Sequence, residues 1–156
     1  GVNIARANDV FTEVVNKTGV PVVTTIMGRG SVPTNHPLFI GNLGMHGCYA
    51  ANMAVGECDL LFSIGTRFND RITGKLHSFA PNAKIVHIDI DTSSISRNIH
   101  VDIPIVEDAL EAVQKMNEYV EPCDTEKWVE QIRKWDEEHP LKMKSKPQMT
   151  PQDIIE

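Results

Sequence analysis

The sequence predicts an α/β fold built on a parallel sheet. Three observations support this reading. Short apolar runs recur at Pro21–Thr25, Leu60–Ile64 and Lys84–Ile90. Stretches with helical spacing lie between them, and glycine-rich or polar residues follow each run. Strands alternating with helices indicate a parallel sheet. Near-continuous apolar runs suit strands covered on both faces.

The elements follow in order. Ala7, Val10, Phe11, Val14 and Val15 repeat at helical spacing, and Gly19 is placed to end that helix. Pro21–Thr25 reads as a short buried strand. Met27 to Gly30 is a loop that continues through Pro33 to Pro37, with Leu38-Phe39-Ile40 as a minor strand. A second helix, rich in Ala and Met, runs from about Tyr49 to Glu57. The run 60–64 is a fully apolar strand, and Gly65 stops it. In the strand 84–90, alternation puts Ile85, His87 and Asp89 on one side and Val86, Ile88 and Ile90 on the other. Ile103–Val106 is a weaker strand that Pro104 assigns to an edge. Ala109, Ala112, Val113, Met116 and Val120 form one stripe of the next helix. After Pro122, Asp124 or Thr125 can cap a helix to about Glu138, with Trp128, Ile132 and Trp135 on one face. The polar, proline-bearing stretch after it reads as a linker, and 150–155 as the first turn of a further helix.

Bulk properties narrow the function. The 156 residues suit one domain, and 41% hydrophobic with 23% charged residues describes a globular chain. A net charge of -6 argues against nucleic acid as a partner. No apolar run reaches the roughly 20 residues of a membrane span, and Gly1-Val2-Asn3-Ile4 does not read as a secretion signal. Cys48, Cys58 and Cys123 have no metal-ligand spacing, so no metal site is expected. Reduced thiols and a cytoplasmic location are expected instead.

Ligands of open parallel sheets bind at the carboxyl ends of the strands. Thr25-Ile26-Met27-Gly28, Gly65-Thr66-Arg67 and Asp89-Ile90-Asp91 fall at those ends. Gly65 allows close backbone approach. Backbone N–H groups there and around Gly44 to Gly47 can meet diphosphate oxygens. Arg67 can pair with phosphate, and Asp89 can accept from ribose hydroxyls. Each has a plainer reading, as turn glycines, a helix cap or a surface charge. His87 reads as a core residue and His46, between glycines, as the more exposed histidine. No GxGxxG, Walker or GxSxG motif is present.

Gly28-Arg29-Gly30 with His36-Pro37-Leu38, then Leu43-Gly44-Met45-His46-Gly47, then Gly65-Thr66-Arg67-Phe68-Asn69-Asp70-Arg71-Ile72-Thr73-Gly74-Lys75, then Ile85-Val86-His87-Ile88-Asp89-Ile90-Asp91 occur in that order. Together they resemble the middle domain of acetolactate synthase (acetohydroxyacid synthase) catalytic subunits, from Gly1 to about Met116. The combination is highly specific. It implies a Rossmann-like parallel sheet flanked by helices, of the NAD/FAD-binding type shared with deoxyhypusine synthase. It implies FAD in this domain, with thiamine diphosphate and Mg2+ held by other domains of an enzyme that joins pyruvate to a second 2-ketoacid in branched-chain amino acid biosynthesis. The chain alone is then inactive. Implied partners are the subunit's other domains, a second copy in a homodimer or higher oligomer, and a regulatory subunit. The domain layout expected is 1–120 for the cofactor-binding domain, 121–150 for helix and linker, and 151–156 for the start of the next domain.

The resemblance also assigns roles. Thr25, Ile26 and Met27 lie along the flavin cofactor, and Gly44, Met45, His46 and Gly47 approach its ring and ribityl chain. Gly65, Thr66, Arg67 and Asn69 hold phosphate and sugar. Asp89, Ile90 and Asp108 face the adenosine end. Gly1 resembles the last glycine of the family's turn after its first strand, and a sheet without that strand is expected to keep two unpaired edges. Met45 and Arg71 face the active site, with Arg71 meeting the second ketoacid's carboxylate. Without the resemblance, a salt bridge to Asp70 is the simpler role for Arg71. Asn69 stands where the family usually has Asp, which makes that contact neutral. Two alternatives remain: a nucleotide-binding domain like the NAD-binding folds of sirtuins, and a structural middle domain of another thiamine-diphosphate enzyme. The first does not account for Arg71 to Lys75.

Overall fold

Helix α1 spans Asn8–Thr18 and ends at Gly19, whose φ of 73° supplies the left-handed cap. Strand β1, Val22–Thr24, follows, then a single 3-10 turn at Ile26–Gly28. Strand β2 is Phe39–Asn42, beginning one residue and ending two residues later than the sequence suggests. Helix α2 (Tyr49–Glu57), strand β3 (Leu60–Ile64), the short helix α3 (Asp70–Thr73) and strand β4 (Lys84–Asp89) continue the alternation. Strand β5 (Ile103–Val106) and helices α4 (Ala109–Tyr119) and α5 (Glu126–Glu138) complete it. These elements come from a computed structural model that describes residues 1–141. The linker and further helix expected from 142 onward lie outside the described residues.

Every strand pairing is parallel, as the α/β reading expects. Leu60 pairs with Lys84 and Ile64 with Ile88 in unbroken register, and β5 lies on the other side of β4. Pro104 therefore sits on an edge strand, where its missing N–H costs least. The strands form two sheets, β1-β2 and β3-β4-β5. Among the described residues, β1 and β3 each keep one edge without a strand partner.

That division corrects one expectation. The run at β3 is not covered on both faces: Leu60 is 54% and Phe62 36% exposed. A sheet-end strand leaves one side of its residues without neighbours, however apolar they are. β4, with a strand on each side, buries Ile85, Val86, His87 and Ile88.

Three apolar clusters hold the elements. Val15, Val22 and Val32 join α1 to β1. Phe68, Ile85 and Val101 pack beneath the three-stranded sheet. Ala50, Ala51 and Ala54 of α2 meet Ile132 of α5, with Trp128 and Trp135 at the margin. The small alanine side chains let the two helices approach closely. Asp124 or Thr125 was the expected cap of α5. Thr125 occupies the cap position, but its hydroxyl donates to the Gly19 carbonyl (2.7 Å) and ties α5 to the end of α1.

Candidate functional site

Because all strands run parallel within each sheet, their carboxyl ends gather the loops that sequence reasoning singled out. The N-terminal turn links the two sheets at that end. Its Gly1 backbone lies against Gly65, where φ is 63° and an added Cβ would sit 2.4 Å from Gly1 Cα. No residue but glycine fits there. The Asn3 amide donates to the carbonyls of Met27 (3.3 Å) and Arg29 (3.0 Å), beyond β1. One short segment thus touches the end of β1 and the end of β3.

The Gly44–Gly47 loop and the Asn69–Gly74 segment form a second unit. Met45 N–H donates to the Arg71 carbonyl at 2.8 Å. Gly44 has φ 104°, and a Cβ there would lie 2.5 Å from the same carbonyl. Asn52 of α2 clamps Gly44 from the other side: its Oδ1 accepts from Gly44 N (3.0 Å) and its Nδ2 donates to Gly44 O (3.1 Å). The Asn69 carbonyl accepts from the Thr73 hydroxyl and starts α3. The Arg71 side chain is exposed and forms no ion pair with Asp70 or another acid among the described residues.

The turn after β3 is held from three directions. Gly65 N–H donates to the Ile88 carbonyl at 2.7 Å. Phe68 is buried yet has φ 48°, an uncommon conformation for a side chain of that size. The Asn98 amide donates to the Phe68 and Arg67 carbonyls, at 3.0 and 3.3 Å, and fixes that strained backbone. The Phe68 ring packs edge-on against His87 with centroids 5.0 Å apart.

The acidic residues divide by what they already bind. Asp91 accepts from the backbone and hydroxyl of Ser93 and from the Ser94 hydroxyl. Those bonds, with a smaller effect of Arg67, hold its carboxyl below the usual range. Asp108 caps α4 by accepting from Leu110 N–H at 2.8 Å. Asp89 uses Oδ1 for Asp91 N–H (2.9 Å), while Oδ2 faces His87 Nε2 at 3.7 Å. Thr25 accepts from Gly28 N–H and stabilises the 3-10 turn that presents Ile26 and Met27.

Ile26, Met27, Met45 and Ile90 stand between 71% and 83% exposed, all in loops at the carboxyl ends of strands. His46 and Arg67 are exposed in the same loops. Exposed apolar side chains, a cation and a carboxylate at strand ends are the residue types that can hold a group that is part ring and part phosphate.

Three residues of this site escaped the sequence reading: Asn3, Asn52 and Asn98. Asn52 left a signal, as an amide in an otherwise Ala- and Met-rich helix. Asn3 and Asn98 left none, since their partners lie 24 to 31 residues away. Among the described residues, no group of three or more His, Cys, Asp or Glu is arranged to hold a metal ion. No helix there is long and apolar enough to cross a membrane.

Residues 1–116 match the family described as thiamine pyrophosphate enzyme, central domain. The chain is 46% identical to a probable acetolactate synthase large subunit of Methanococcus aeolicus, over 99% of the chain and 27% of that protein. A probable acetolactate synthase large subunit of Methanocaldococcus jannaschii is 47% identical over 85% of the chain and 23% of its own length. The acetolactate synthase large subunit of Cyanidium caldarium is 40% identical over 99% of the chain and 28% of its own length. The chain thus spans 23% to 28% of these relatives.

Proposed function

This chain belongs to the family of thiamine pyrophosphate enzyme central domains, and on that premise we propose that it is the FAD-holding domain of an acetolactate synthase catalytic subunit. The observation that supports the reading is that the exposed Ile26, Met27, Met45 and Ile90, like Arg67 and Asp89, lie at or just past the carboxyl ends of parallel strands. Such a surface fits a flavin dinucleotide. Ile26, Met27, Met45 and the Gly44–Gly47 backbone line its ring and ribityl chain. Gly65, Thr66, Arg67 and Asn69 take the diphosphate and sugar. Asp89, whose Oδ2 has no donor within hydrogen-bond distance among the described residues, takes a ribose hydroxyl, beside Ile90 and Asp108. Arg71 and Met45 face the reacting ketoacids, pyruvate and a second 2-ketoacid.

Residues 1–120 form the cofactor-binding unit in this reading, 121–150 lead away from it, and 151–156 begin a further domain. Thiamine diphosphate and Mg2+ are held by the subunit's other domains. The chain alone forms no acetolactate. The intact subunit works as a homo-oligomer in the cytoplasm, with a regulatory subunit as a further partner.

The test is a titration of the full-length subunit with FAD and with NAD, followed by flavin fluorescence and by competition. The reading expects saturable FAD binding that Arg67→Ala and Asp89→Ala each weaken. Preference for NAD, or no binding of either, would overturn it in favour of a nucleotide-binding or purely structural central domain.

A further inference from the structure

His87 is fully buried in the middle strand of its sheet, and neither ring nitrogen has a hydrogen-bond partner among the described residues. Buried polar groups are normally satisfied, so an exception needs a reason. Packing alone does not supply one. Ile85, two residues earlier on the same side of β4, fills its place with no polar atom.

What surrounds the imidazole is specific. Nε2 lies 3.7 Å from Asp89 Oδ2. The Thr66 backbone carbonyl is a second acceptor near the ring, outside hydrogen-bond geometry. Phe68 closes the site edge-on. The ring therefore lies between the turn after β3 and the carboxylate at the end of β4. A neutral imidazole has one N–H, so it can satisfy one of the two acceptors at a time. Asp89 Oδ1 is already held by Asp91 N–H. A donor on Oδ2 fixes the carboxylate's remaining rotation. From 3.7 Å, a shift of roughly 0.7 Å reaches hydrogen-bond distance.

We propose that His87 is a positioning residue: its buried N–H orients the Asp89 carboxylate toward the ribose hydroxyl of a bound adenine dinucleotide and couples that carboxylate to the Gly65–Phe68 turn. The proposal rests on the FAD reading above and adds a residue that does not itself touch the cofactor. It separates His87 from a core role by one property. The effect of removing the donor must pass through Asp89 and must be confined to the adenosine half of the ligand.

The experiment uses the full-length subunit, titrated with FAD and separately with FMN, which lacks the adenosine portion. In His87→Phe the buried ring remains and the donor is lost. Its FAD affinity is expected to fall about tenfold, the size of one hydrogen bond to a charged group, with FMN affinity unchanged. His87→Gln, whose amide can donate again, is expected to restore FAD binding to within about threefold. In an Asp89→Asn background, His87→Phe is expected to have no further effect. Unchanged FAD affinity in His87→Phe overturns the proposal, as does an equal loss for FMN or an undiminished loss in the Asp89→Asn background. If His87→Phe does not fold, His87→Leu is read against the same outcomes. Failure of the wild-type subunit to bind FAD instead sinks the FAD reading, and this proposal with it.

Discussion

Arg71 projects from a four-residue helix whose backbone is pinned by Met45, so its exposure is built in rather than incidental. In the full-length subunit, Arg71→Lys keeps the charge but loses the planar fork that suits a carboxylate. The expected cost is on the order of 1–3 kcal/mol, or roughly five- to a hundredfold in use of the second ketoacid. FAD affinity should not change, and titrating both ligands on the purified variant checks this. His87 gives a pH prediction. Burial pushes its pKa below the ordinary 6.5, against the raising effect of Asp89. The unfolded chain therefore takes up a proton as pH falls below 6.5 while the folded chain does not. The His87 contribution to stability is complete above that pH and is lost as pH falls toward the folded pKa. Denaturant midpoints compared at about pH 7.5 and about pH 5 should show a decline that His87→Phe reduces.

Among the elements, α5 shows what a sequence reveals and what it conceals. Its apolar face was legible because Trp128, Ile132 and Trp135 recur at helical spacing, and Val129 and Ile132 are buried. Its anchor was not, because the Thr125 hydroxyl binds the Gly19 carbonyl 106 residues away. Local pattern says that a hydroxyl can cap, not which carbonyl competes for it. β3 misled in the same way: composition reports how apolar a strand is, whereas coverage depends on which strands lie beside it. α1, β4, the edge placement of Pro104 and the end of α1 at Gly19 were readable because local geometry dictates each of them. Ile132 is fully buried against the alanines of α2. Ile132→Ala should therefore cost about 2–5 kcal/mol through lost burial and a residual cavity. Urea unfolding at an unchanged m value measures that cost. A cost under about 1 kcal/mol would show that α5 is only loosely docked.

At the scale of the whole molecule, the candidate site was legible as a set of strand ends but not as an assembly. Parallel strands bring Thr25, Gly65 and Asp89 to the carboxyl ends of their sheets, which follows from pattern alone. Of the three asparagine clamps that hold the loops in shape, Asn3 and Asn98 depend on backbone 24 to 31 residues away and could not be read in advance, whereas Asn52 left a signal in the composition of its helix. The docking of α5 has an optical consequence. Trp128 and Trp135 are the chain's two tryptophans, packed edge to face at 5.6 Å and half-buried against α2. The indole emission of this chain thus comes from one helix contact, on the helix that also carries the Asn52 clamp on Gly44. Heating should shift that emission to the red as the indoles meet water. If α5 belongs to the same cooperative unit as the strands, the shift will coincide with loss of far-ultraviolet circular dichroism. An emission change at lower temperature would make α5 a separately melting segment, and the fluorescence of the wild-type chain would record its detachment without an added dye.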